Sequence, residues 1–508
     1  MELQLPSFQI IFTFLLFLFA LVNILKRSKL KLIFFFIETT PGPWKLPVIG
    51  NLHQLVGPLL HQVLRDLAKK HGPLMHLKLG QLSVTVVSSP DFAKEVMKTH
   101  DVIFASRPQT LVSKIMFYDS STMTFSPYCD YLKQLRKICV QELLNITQVQ
   151  SYRPIREEEL SNLVKFIGSH IGSVINLSEE IYSTGCAIIS AAFGDKSKEQ
   201  ERFVSLLKEV VKLAGGFNIA DLFPSVHLLQ LLSGLRPKLE RLHREADRII
   251  DNIIKEHKDQ ETRKAGRVVK DLVDVLLKFH DRSDLQFSLT TDNIKAVIWD
   301  IFAAGSDTSA TAVDWAMSEM MKHPRVMKKA QDEVRRVFNE KGSVDETCIS
   351  EMKYLKSVIK EILRLHPPGP LLLPRECRES CVIGNGYEIP AKTKVIVNAW
   401  AIGRDPRYWN EPESFYPERF LDSSVDFKGT NYEYIPFGAG RRMCPGMSLG
   451  MINVELPLAL LLYHFDWQLP KGMKHEEMDM TEKFGITVRR KLDLLLIPTA
   501  YYPSSTPS

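Results

Sequence analysis

Pro436 to Gly446 reads PFGAGRRMCPG, one cysteine among three glycines and two arginines. A cysteine that only fills core needs no such company, because it behaves as a small hydrophobe. A cysteine that ligates a metal must be deprotonated, held rigidly and approached closely by backbone. Neighbouring positive charge favours the ionised sulfur, and glycine allows both the approach and the unusual dihedrals. The stretch therefore predicts a metal-bound thiolate at Cys444. The other six cysteines, at 129, 139, 186, 348, 377 and 381, form no disulfide framework and fit a reducing compartment. Cys377 and Cys381 are the closest pair, but no second pair stands at zinc spacing.

A reactive thiolate needs a scaffold, and most of the chain shows helical periodicity. Pro90 to His100, Tyr131 to Leu144, Glu157 to Ser169, Lys238 to His257 and Lys353 to His366 carry it. From Asp292, after Thr290 and Thr291, a pattern runs to His323, where Pro324 stops it. About thirty residues at 1.5 Å each make roughly 45 Å, enough to cross a domain. Its middle, AAGSDTS at Ala303 to Ser309, collects poor helix formers and predicts a local distortion kept for use. Strand signals are short, as in His76 to Ser89 with its central Gly80. The polar stretch Lys258 to Lys270 reads as an exposed connector. The expected fold is mainly α with a minor β component.

The 508 residues are 45% hydrophobic and 24% charged, with a formal net charge of +6. That balance is globular and too weakly basic to argue for nucleic acid. Leu5 to Leu25 is almost wholly apolar and long enough to span a bilayer. Lys26, Arg27, Lys29 and Lys31 follow at once, so residues 1–25 read as a signal-anchor transmembrane helix with the rest of the chain in the cytoplasm. Asn145-Ile146-Thr147 and Asn176-Leu177-Ser178 should then escape glycosylation. Residues 26–51 form a basic and proline-rich hinge, stiffened by TTPGPWKLPVIGN. Residues 52–508 are expected to form a single domain.

Together these stretches resemble the cytochrome P-450 haem-thiolate monooxygenases, in particular the plant endoplasmic-reticulum branch of specialised metabolism. The motif Phe437-x-x-Gly440-x-Arg442-x-Cys444-x-Gly446 carries the likeness most specifically. Ala304-Gly305-Ser306-Asp307-Thr308, Glu361-Ile362-Leu363-Arg364 and Pro417-Glu418-Arg419-Phe420 stand in the expected order. The resemblance implies haem b with Cys444 as axial iron ligand, whose thiolate electron push favours O–O cleavage. It implies that Phe437 covers the ligand side, Arg442 pairs with a haem propionate, and Asp307 and Thr308 supply protons. Glu361 and Arg364, three apart on one helix face, would join Arg419 in a buried triad serving folding and haem retention. Arg136 also matches a propionate position, but Leu132 replaces the family's usual tryptophan. One indole donor is lost there, worth about 1 kcal/mol unless the Lys133 charge compensates.

Seven-residue spacing places Val297, Ile301 and Ala304 on the Thr308 side of the long helix. The resemblance adds Phe117 and Tyr118, Leu371 to Leu373, and Phe484 to Ile486 as distal pocket residues. Such an apolar set implies a hydrophobic small-molecule substrate. Asp300 lies about 80° around the helix from Thr308 and is a poor candidate for a basic substrate nitrogen. The likeness is strongest to terpenoid oxygenases and terpenoid indole alkaloid hydroxylases such as tabersonine 16-hydroxylase. It implies O2 and NADPH as cosubstrates, electrons from a membrane-bound NADPH-dependent reductase, and reductase contact near Arg136, Lys137 and Arg441. Two rival readings are a family member that catalyses oxidative rearrangement or ring coupling, and a non-catalytic membrane haem protein.

Overall fold

The computed structural model describes residues 41–502 apart from 58, 192, 194–197, 215–217, 262–271, 281–288, 343, 385 and 471. Its principal helices are α1 (Leu60–His71), α2 (Asp130–Ile138), α3 (Leu177–Ala191), α4 (Leu235–Glu261), α5 (Thr291–Lys322), α6 (Pro324–Lys341), α7 (Lys353–Leu365) and α8 (Met447–His464). The strands used below are β1 (Leu74–Leu79), β2 (Leu82–Val87), β3 (Arg375–Glu376), β4 (Lys394–Val397), β5 (Glu482–Lys483) and β6 (Arg489–Arg490). The architecture is mainly helical with small sheets, as the periodicity predicts. The anchor at 1–25 and the hinge up to residue 40 lie outside the described residues.

His76 to Ser89 is a hairpin rather than one strand. Leu79 sits opposite Leu82, and Gly80 turns the chain at φ +57°. β2 then runs parallel to β4, which pairs antiparallel with β3. The end of the hinge is docked on this sheet: His76 N donates to Pro41 O at 2.8 Å and Asn51 N to Lys78 O at 2.6 Å.

α5 is the spine. Thr290 and Asn293 cap it reciprocally, with bonds of 3.2 and 3.0 Å. Pro324 does more than end it, because the same proline opens α6 at its first turn. The expected distortion at Ala303 to Ser309 does not interrupt the helix. Its hydroxyls bond carbonyls one turn back, Ser306 Oγ to Phe302 O at 2.8 Å and Thr308 Oγ1 to Ala304 O at 2.7 Å. That back-bonding keeps such residues inside a helix. Gly305 serves close packing, since a Cβ there would stand 3.0 Å from Ile189 Cδ1 of α3.

Two apolar clusters flank α5. One joins Trp315 and Met320 to α6, α7 and α8, and the other joins Trp299 and Phe302 to α2 and α4. Each large side chain so buried contributes about 1.5–3 kcal/mol. α8 is long and apolar enough to cross a membrane, but half of it is buried inside the body. It is a core helix that meets α5 where Ser309 Oγ donates to Gly450 O at 3.5 Å. α4 continues to Glu261, so the start of the predicted connector at Lys258 is helical, and 262–270 lie outside the described residues.

Candidate active site around Cys444

The loop before α8 is set by its glycines. Gly438 and Gly440 have φ of +68° and +70°. A Cβ at Gly440 would lie 2.1 Å from Met97 O, so no side chain fits there. Cys444 N closes the loop by donating to Phe437 O at 3.0 Å, and Phe437 meets Phe427 edge-on at 5.3 Å. Cys444 is surrounded by protein, and burial pushes its thiol up; a Gly446 hydrogen bond and the Arg136 charge oppose that shift. The residue is nevertheless exposed. Gly446 borders open space, with nothing within 4 Å of a built Cβ.

Four arginines gather beside this loop. Arg107, Arg375 and Arg442 are buried and Arg136 is half-buried. Burial pushes Arg442 down to about 9, and Arg375 and Arg136 push the same way. Burial lowers Arg107 too, with all three companions adding to the effect. Arg375 has Asp101 at 3.1 Å. The others donate to carbonyls: Arg107 to Thr124, Leu373 and Pro374, Arg442 to Ala105, Met123 and Ser126, and Arg136 to Met443. So much buried positive charge is costly without an anion. An exposed cysteine beside such a cluster fits a haem, whose iron would take the sulfur and whose two carboxylates would take the guanidiniums.

Sequence reasoning found Arg136 and Arg442 but missed Arg107 and Arg375, which sit alone in their motifs and meet the loop only through the fold. Leu132 is buried on α2. Lys133 does not stand in for the missing indole, because it turns outward to Asp130 at 2.8 Å.

On α5, Ala304 is exposed, and Ala303, Gly305 and Thr308 beside it are half-buried. Asp307 forms an ion pair with Arg489 of β6. An apolar cavity of about 180 Å³ is lined by Leu371, Leu372 and Phe484, together with Phe125, Ile486 and Val488. Val297, Ile301 and Phe117 are not in its wall: at 0%, 5% and 5% exposure they are core. They pack in the apolar cluster that also holds Trp299, Phe302 and Phe203.

Glu361, Arg364 and Arg419 do meet. Arg364 donates to both Glu361 oxygens at 2.8 Å, Arg419 Nε adds a bond at 3.0 Å, and Tyr416 N a fourth at 2.9 Å. The triad lies outside the thiolate loop.

Fold and site together define a haem-thiolate protein. The family model of cytochrome P450 matches residues 40–497, and the chain belongs to the cytochrome P450 family of monooxygenases. It is 60% identical over 91% of its length to cytochrome P450 71D11 of Lotus japonicus, covering 95% of that protein. Identity is 53% to tabersonine 16-hydroxylase 2 of Catharanthus roseus, over 97% of this chain and 98% of the other. It is 51% to premnaspirodiene oxygenase of Hyoscyamus muticus, over 99% and 100%. A zebrafish cytochrome P450 solved with progesterone shares the fold at TM-score 0.74 and 24% identity, over 86% of this chain and 99% of that one.

Proposed function

We propose that this protein inserts one oxygen atom from O2, by hydroxylation or epoxidation, into a hydrophobic plant specialised metabolite, a terpenoid or terpenoid-derived indole alkaloid. The observation that carries the reading is Cys444, left exposed on a glycine-fixed loop beside a cluster of four arginines. The names of its relatives, a tabersonine hydroxylase and a premnaspirodiene oxygenase, support the substrate class. Bound haem b supplies the oxidising chemistry at its iron. The chain's own residues then have separable tasks. Cys444 holds the metal, with Gly446 and Arg136 stabilising the anionic sulfur. Arg107, Arg136, Arg375 and Arg442 hold the carboxylates, and Phe437, Gly440 and Gly446 shape the loop. Thr308 and Asp307 would hold and pass protons, and Leu371, Leu372 and Phe484 would orient an apolar substrate and exclude water.

Electrons come from NADPH through a membrane-bound reductase that docks beside Lys137 and Arg441, both exposed near the loop. The protein sits in the endoplasmic reticulum membrane by its 1–25 helix, with the 26–51 hinge leading to one catalytic domain facing the cytoplasm. The Asp307–Thr308 pair favours monooxygenation over rearrangement. The test is a membrane preparation with reductase, NADPH and a panel of terpenoids and indole alkaloids. A product heavier by one oxygen, formed only with NADPH and O2, is expected. Product formed without either cosubstrate would favour rearrangement, and no turnover of any compound would favour a haem-binding role alone.

A further inference from the structure

Asp300 sits two turns before Thr308 on α5 and is 5% exposed. Neither the thiolate loop nor the Glu361 triad uses it. Its carboxylate is occupied by one segment of chain: Thr124 N donates to Oδ2 at 3.0 Å. Burial pushes its carboxyl up to about 6, opposed by hydrogen bonds from Thr124, Met123 and Thr122. The carbonyls of the same segment go the other way. Arg442 takes Met123 O at 3.0 Å and also Ser126 O, while Arg107 takes Thr124 O at 3.3 Å. Thr122 to Ser126 is thus a strap with its amides on a buried acid and its carbonyls on two buried cations. Phe125 lies in its middle, lines the apolar cavity, and stacks on Phe117 at 4.9 Å.

We propose that Asp300 is a positioning residue that sets the cavity's size preference by fixing the strap and, through it, the Phe125 ring. The inference rests on the reading of the cavity and Cys444 as substrate and haem sites. Asn at 300 keeps the shape but loses the charge and one acceptor oxygen, so the strap amides lose part of their anchor. Phe125 then shifts, and large ligands feel it more than small ones.

The test uses the ferric holoenzyme and two iron-binding probes, 4-phenylimidazole and the bulkier triarylmethyl imidazole clotrimazole, titrated by their Soret shifts. Asp300→Asn should change the ratio of the two Kd values by about fivefold with the melting temperature little altered. Phe125→Ala should change it as well. The double variant should match Phe125→Ala alone, because Asp300 acts through that ring. An unchanged ratio in Asp300→Asn, or fully additive effects in the double variant, would overturn the proposal. Should Asp300→Asn not fold, hydrogen exchange on the wild-type holoenzyme decides: slow Met123 and Thr124 amides are expected, and fast ones would overturn it. If neither imidazole shifts the Soret band, the haem-site reading itself has failed, which is a separate result.

Discussion

Between Phe437 and Gly446 the constraints are local: two left-handed glycines, one backbone bond that closes the loop, and a Cβ-sized prohibition at Gly440. The apolar cavity is the opposite case. Its wall draws on Phe125, Leu371 and Phe484, which stand more than a hundred positions apart and meet only after folding. A ligand-holding loop built locally keeps its geometry when distant residues drift. A cavity built from distant segments changes shape with any of its supports. Chemistry and specificity can therefore vary separately on one scaffold.

That contrast can be broken or sharpened by substitution. The largest effect belongs to Glu361→Ala, which strands Arg364 at 0% side-chain exposure. Stability should fall by about 3–5 kcal/mol, the cost of an unpaired buried charge. Haem loss on mild denaturation should follow, although the residue lies outside the loop. A stable, haem-retaining variant would show that the scaffold does not support the loop through the triad.

Glu319→Gln probes the cavity side. Burial pushes Glu319 up, but His323 and His366 outweigh it and hold the carboxyl at about 2. His366 also faces Glu482, at the foot of the hairpin bearing Phe484. An acid held below its ordinary 4.5 stabilises the fold above that value and loses the contribution as pH falls toward 2. Denaturant titrations should therefore show the wild type losing stability across that window, on the order of 3 kcal/mol from this group. The variant should show a flatter acid limb, with an equally steep one counting against the assignment.

Thr308→Ala should leave haem and substrate binding intact while product formed per NADPH falls about tenfold, near 1.4 kcal/mol. Unchanged coupling would remove Thr308 from proton handling. Leu132→Trp is the smallest change: an added indole donor beside Arg136 should strengthen haem retention by about 1 kcal/mol. Retention identical to wild type would show that Arg107 already supplies what the tryptophan gives elsewhere.

The same contrast explains what was legible in the sequence. The thiolate loop, the Thr290 cap and the span of α5 are short-range patterns, so spacing alone located them. Arg107 and Arg375 escaped because a buried arginine has no periodicity; their partners at Leu373, Pro374 and Asp101 lie far off in sequence. Val297 and Ile301, expected beside the pocket, are buried and do not line the apolar cavity, for a related reason. Periodicity says which face a residue shares, but the covering layer comes from other elements. Gly80 looked like a strand interior, and only its positive φ shows the hairpin turn. AAGSDTS read as a local distortion because propensity ignores the side chain's own bond to the carbonyl behind it.

The central claim is a sulfur–iron bond at Cys444, and the reduced carbonyl spectrum of Cys444→Ser against wild type tests it directly. Wild-type membranes should show the thiolate-type Soret band and the serine variant should lose it along with all oxygenation. A serine variant that keeps that band and still oxidises substrate would contradict the account.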